Sequence, residues 1–331
     1  MSQQKKQTKF QQANSTLLAA SKRIVFLDIG QLEGSVYSWD KGPNKGLSAR
    51  ITDNAVFAWE KTPGGDVIST GSIYPPKTAG YFMAGYEMFL SPATVDAKTR
   101  AKKDFIAAVF KYFYNKAAKQ WTSKYEKDEV VIVIPVPRYY NPKDKEAIKE
   151  AATLAGLCEH GSVHLEDSLD ILVVRSAQLA NEGFSNVIRW INANAPMIES
   201  VDTYQGEVPG SARQHYNGLP KMIQGIEEIS NFTRAWQVKK AVHEMILGGF
   251  FGGDSIYIGN ECINFDSEKI YEYSRDFQNK AIASAEYGQG SKTKGELRLY
   301  GTLEANSGDI SVDEGYTVES LSLGEIFFRA L

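Results

Sequence analysis

Few residues in this chain combine the types and spacing that chemistry needs. Asp28-Ile29-Gly30 closes the apolar run Arg23-Ile24-Val25-Phe26-Leu27, which places a carboxylate and a conformationally permissive glycine at a strand end. Such a turn can face a cation or a phosphate, and it equally serves as a plain turn. Cys158, His160, His164, Glu166 and Asp167 bring thiol, imidazole and carboxylate types together, with spacing that matches neither Cys-x-x-Cys nor His-Glu-x-x-His. Gly248-Gly249-Phe250-Phe251-Gly252-Gly253-Asp254 follows an expected helix, so a helix end suits it better than a phosphate cradle. Gly288-Gln289-Gly290-Ser291-Lys292-Thr293-Lys294-Gly295 lacks the Gly-Lys-Ser/Thr ending and the flanking strand and helix of a phosphate loop. With four histidines in the chain and no Ser-His-Asp or Cys-His spacing, nothing recommends a nucleophilic triad.

The elements that must position these residues begin with the stretch Asp128 to Leu157. Val130 to Ile134 is a β-branched run, expected as a strand buried on both faces and central to a sheet, with Pro135 and Pro137 ending it. Asn141 is the expected N-cap and Pro142 the first helical residue, and Ala147, Ala151, Leu154 and Ala155 recur at helical spacing until Gly156 closes the helix. Upstream, strands are expected at Arg23 to Gly30, Ser35 to Asp40 and Leu47 to Glu60, with turns at Lys41-Gly42-Pro43-Asn44 and Pro63-Gly64-Gly65-Asp66. Asp96 to Trp121 reads as a long helix whose lysines sit on a solvated face. Leu169 to Val174 and Val187 to Ile191 are further apolar stretches. Downstream, the readings are a loop at Thr203 to Pro220, a helix at Ile223 to Leu247, and a strand pair at Ser255 to Phe265 around Gly259-Asn260. Strands at Glu296 to Leu303 and Asp309 to Phe328 follow.

The segment Val136-Pro137-Arg138-Tyr139-Tyr140-Asn141, with Ala147, Lys149-Glu150-Ala151 and Leu154-Ala155-Gly156-Leu157 after it, resembles the corresponding segment of the heat-shock chaperone ATPase domain, a member of the superfamily shared with actin and sugar kinases. The succession of strands after Arg23 resembles the opening meander of those ATPases, and Asp28 and Gly30 match their first phosphate turn. The resemblance implies a mixed α/β fold with an actin- or chaperone-ATPase-like first lobe and a divergent, strand-rich C-terminal part. It implies ATP or ADP with Mg²⁺ as cofactor, Asp28 as ligand to the metal's waters, and Gly30, Gly34 and Ser35 as cofactor-binding residues. Glu166 falls nearest the family's catalytic-pocket glutamate. Two departures stand against hydrolysis: in the turn Leu32 offers no hydrogen bond and Glu33 places like charge near a triphosphate, and no Asp-x-Gly-Gly-Gly-Thr run occurs downstream.

Composition bounds the rest. The chain has 331 residues, 43% of them apolar and 23% charged, with a net charge of -3, which describes a globular protein and argues against a globally basic nucleic-acid binder. Two cysteines make no disulfide framework and fit a reducing compartment. No apolar run approaches the roughly 20 residues of a membrane helix, and the polar N-terminus lacks a secretory apolar region, so a cytoplasmic or virion location is expected. The expected organisation is a polar tail over 1–21, an α/β domain over 22–204 and a divergent second part over 205–331. The function these readings support is nucleotide binding with hydrolysis unsupported; the alternative is a non-enzymatic subunit, capsid or nucleoprotein filament. Self-association is the expected partnership, and the basic tail and the aromatic stretch from Tyr74 to Phe89 could meet nucleic acid, the latter by stacking if it does not simply pack onto the body.

Overall fold

The structure, a computed structural model, describes residues 20–31, 33–42, 45–54, 56–62, 65–70, 81–84, 88–93, 99–181, 187–204, 213–217, 255–259, 303–306, 309–312 and 317–330. The tail over 1–19, Leu32, both downstream glycine-rich stretches and the expected helix at Ile223 to Leu247 lie outside them. So do the parts of the aromatic stretch over 74–80 and 85–87.

A five-stranded mixed sheet forms the centre. Its strands are β1 (Arg23–Ile29), β2 (Glu33–Asp40), β3 (Gly46–Asn54), β7 (Val130–Val136) and β8 (Ser162–Asp167), in the order β3-β2-β1-β7-β8. β2 runs antiparallel to both β1 and β3, while β1, β7 and β8 are parallel. The β-branched run therefore occupies an interior position, as its apolar continuity requires. Val130, Ile132, Ile134 and Val136 face one core with Val25 and Leu27, whereas Val131 and Val133 face the other with Ile24 and Phe26.

Helices close both faces. On the first lie α1 (Thr99–Ala118), through Phe105, Val109, Phe110 and Phe113, and α2 (Pro142–Leu154), through Ile148, Ala151 and Ala152. The second is covered by α4 (Ser168–Asn181) and α5 (Leu323–Ala330), with α3 (Leu157–His160) a single turn between α2 and β8. Asn141 caps α2 by accepting from the Lys143 and Asp144 N–H groups, at 2.8 and 3.1 Å, and the Asp144 carboxylate accepts from the Asn141 N–H in return. Gly156, at φ +78°, takes the left-handed conformation that ends the helix.

Four local expectations change. β7 runs through Pro135 to Val136, because its ladder to β1 ends at Val133 and a residue whose N–H would face that side loses nothing by being proline. Leu154 is 58% exposed; the buried face of α2 is Ile148, Ala151, Ala152 and Ala155, one position away from the spacing through Leu154. The third strand is two: β3 stays in the central sheet, and β4 (Val56–Thr62) joins β5 (Gly65–Thr70) and β6 (Tyr81–Ala84) in a separate three-stranded sheet. Finally, the segment Leu323–Ala330 is helix, not strand. Leu323, Ile326, Phe327 and Ala330 share one buried face, and the Glu325 N–H donates to Ser322 Oγ at 3.0 Å. Phe327 stacks on Phe26 at 4.7 Å, so the end of the described chain seals the first sheet.

A second five-stranded sheet has the order β11-β10-β9-β12-β15, from β9 (Val187–Asn192), β10 (Ile198–Tyr204), β11 (Arg213–Asn217), β12 (Ser255–Gly259) and β15 (Thr317–Leu321). It takes two strands from before residue 205 and three from after it. β11 falls inside the stretch expected as loop, and β12 pairs with β9 and β15 in parallel. β13 (Leu303–Asn306) and β14 (Asp309–Val312) pair antiparallel, Asn306 opposite Asp309.

Candidate functional site

The parallel strands β1 and β7 end side by side, and the chain leaves both at a cavity. Asp28, Ile29 and Gly30 line it from the end of β1, Ile134 to Pro137 from β7, Ser168 from the start of α4, Asn192 from the end of β9, and Asn194, Ala195 and Pro196 from the turn between β9 and β10. The carboxyl ends of parallel strands are where α/β proteins hold ligands, because side chains and helix starts converge there without a ladder to occupy them. The free volume is about 20 Å³, room for water and far less than a nucleotide needs.

Two turns meet across this cavity. The β1–β2 turn donates the Gln31 N–H to the Asn194 carbonyl at 2.7 Å and Gln31 Nε2 to the Ala193 carbonyl at 2.6 Å. The Asn194 side chain then pairs with the backbone of Glu33 in both directions: Oδ1 accepts the Glu33 N–H at 3.1 Å, and Nδ2 donates to the Glu33 carbonyl at 3.1 Å. Gly30 is needed for this contact, since a Cβ there would sit 2.0 Å from the Asn194 carbonyl oxygen.

The electrostatics are those of a buried acid site. Asp28 is 8% exposed, and burial pushes its carboxyl up to about 7; the Glu33 charge adds to the shift, and a hydrogen bond with Asn194 opposes it. Glu199, on β10, is fully buried and pushed up to about 8 by burial, against hydrogen bonds from the Ser168 hydroxyl and from the Arg138 N–H at 2.6 Å. Asn192 Oδ1 is a buried acceptor with no hydrogen-bond partner, on the cavity wall. The Arg138 side chain donates to Asp167 at 2.8 Å and to Asp170.

Of the residues the sequence proposes, Asp28 and Gly30 line the cavity; Gly34, Ser35 and Glu166 do not. Gly34 gives space to the Phe113 ring, which a Cβ would meet at 2.4 Å, and so lets α1 lie on β2. Ser35 is buried with its hydroxyl toward the Asp28 carbonyl at 3.5 Å. Glu166 sits on edge strand β8, paired with Pro135 in register. The thiol and imidazole cluster disperses: His160 stacks on Tyr114 at 4.9 Å, Cys158 lies by Thr153, and Asp167 goes to Arg138. Among the described residues no three of His, Cys, Asp or Glu come together in a metal-holding group. Sequence reading overlooked Gln31, Ser168, Asn192, Asn194 and Glu199. Asn192-Ala193-Asn194-Ala195-Pro196 did carry a signal, a tight polar turn directly after an apolar strand.

ATP or ADP with Mg²⁺ does not fit this closed arrangement. A phosphate needs free donors aimed at one point and cationic partners. Here the Gly30 N–H goes to the Glu33 carbonyl, the Gln31 and Glu33 N–H groups go to Asn194, and no lysine or arginine is among the lining residues. What remains, Asp28 and the orphaned Asn192 oxygen, are acceptors suited to a cation or to water.

No protein-family model matches the chain, and no curated protein matches it in sequence. Among solved structures it is similar to MreB5 of Spiroplasma citri bound to ADP, with 11% identity over 94% of this chain and 95% of that one, at a TM-score of 0.42. It is also similar to the ethanolamine utilization protein EutJ from Carboxydothermus hydrogenoformans, with 9% identity over 92% and 89% at a TM-score of 0.42. For MreB5 of Spiroplasma citri bound to AMPPNP the values are 11%, 93%, 94% and 0.41. All three likenesses are distant.

Proposed function

We propose that the chain is a nucleotide-binding protein, with the site at the carboxyl ends of β1 and β7. One observation carries this reading. The two stretches that separately resemble chaperone and actin ATPases, Asp28-Ile29-Gly30 and the segment from Val136, are a whole helix and more apart in the chain, yet both line the same cavity. The described form is closed, and ATP or ADP with Mg²⁺ enters only when the β1–β2 and β9–β10 turns part. By the resemblance, Asp28 would then hold the metal's waters. Glu166 stays on the edge strand outside the cavity, and the missing hydroxyl donors of the first turn leave hydrolysis unsupported.

The test is thermal melting with millimolar ATP or ADP and Mg²⁺. A site filled at 100 times its dissociation constant adds about 2.7 kcal/mol, and Asp28→Ala removes that gain while the protein still melts cooperatively. No shift with either nucleotide, accompanied by large species in light scattering, would instead support the self-assembling subunit.

A further inference from the structure

We propose that Asn194 is a clasp: its side chain and carbonyl hold the β1–β2 turn against the β9–β10 turn and keep the cavity shut. Four hydrogen bonds cross this seam, and all of them join residues more than 160 positions apart in the chain. The Asn194 amide acts as one extra residue of ladder on the Glu33 backbone, donating to its carbonyl and accepting from its N–H. That carbonyl also accepts the Gly30 N–H, so the amide binds a turn that is already closed on itself. Asn194 hydrogen-bonds the Asp28 carboxyl as well, which ties the seam to the cavity wall.

The contact is reversible by construction. It consists of hydrogen bonds between two turns, each net worth about 1 kcal/mol, and every donor freed by opening can be taken up by water. Opening also uncovers the Gln31 and Glu33 N–H groups and the left-over acceptor Asn192 Oδ1, and it enlarges a space that now admits only water. The consequence for ligand entry rests on the nucleotide reading; the clasp itself does not.

Amide hydrogen exchange at Gln31 and Glu33 tests it, first without any ligand. Both amides are protected in the native protein. Asn194→Ala removes the bonds to Glu33 and Asp28 and speeds Glu33 exchange about tenfold, leaving the central strands β1 and β7 protected. Gln31→Ala, which deletes only the bond to the Ala193 carbonyl, gives a smaller rise and serves if Asn194→Ala fails to fold. Gln31 and Glu33 amides that exchange freely in the native protein, or rates that neither variant changes, overturn the clasp. ADP with Mg²⁺ is then added to the Asn194→Ala protein. Tighter binding than in the native protein supports both readings, whereas faster exchange with no ADP binding supports the clasp and removes the nucleotide.

Discussion

The two ends of β1 treat buried charge in opposite ways. At its start, Arg23 donates to both carboxylate oxygens of Asp40 at 2.6 and 2.7 Å, with both side chains 2% exposed. The guanidinium lies over the Trp121 ring at 4.2 Å and near Tyr125 at 4.8 Å. Arg23 Nη2 also donates to the Ser123 carbonyl, and Ser48 donates to Asp40. At the other end, five residues along, Asp28 has no cation beside it among the described residues, Glu33 adds like charge, and Asn192 keeps an unused acceptor. The balanced end joins β1 to β2 and to the loop after α1 as a fixture. The unbalanced end holds groups whose charge state responds to what enters, which is what a binding site requires and a fixture avoids.

Breaking the balanced end produces the largest effect. Asp40→Ala leaves the Arg23 charge buried without its partner and lowers stability by about 3 to 5 kcal/mol in urea titration. An effect near that of a surface ion pair would erase the contrast. Next comes pH. Asp28 and Glu199 have folded values raised to about 7 and about 8 from ordinary values of 3.8 and 4.5. The folded protein therefore binds more protons than the unfolded chain between about pH 4 and 8, and stability falls as pH rises through that window. Asp28→Asn flattens the lower part of this fall and raises the melting temperature at pH 8 relative to the native protein. A pH profile indistinguishable from the native one would show that Asp28 is not buried in ionisable form.

Smaller still is Gly30→Ala, which drives a Cβ into the Asn194 carbonyl. It costs about 1 to 3 kcal/mol and speeds exchange at Gln31, whereas Gly34→Ala costs as much through Phe113 without touching that amide. Equal exchange in the two variants would dissolve the distinction between seam and packing. Smallest is Leu154→Lys on the outward face of α2, expected within about 0.5 kcal/mol of the native protein.

The unit from Val130 to Gly156 was readable because its determinants are local. A β-branched run, an asparagine before a proline and a glycine at a left-handed position each act within a few residues, and each took its expected place. The rotation of α2 by one position was not readable, since alanines tolerate either side and the choice belongs to the surface they meet. The final helix was readable in principle: Ser322-Leu323-Gly324-Glu325 has the spacing of a cap, but strands before it suggested more of the same.

By itself the sequence determined the buried strand that starts at Val130 and the capped helix after it, and it put Asp28 at the tip of a buried strand. The tertiary structure alone decided that this tip meets Asn194, that Glu199 and Ser168 lie behind it, and that Glu166 stands apart on an edge. Caps and periodicity depend on neighbours in the chain, whereas hydrogen bonds across a seam, and the burial that lifts a carboxyl to about 7, depend on which distant segments pack together.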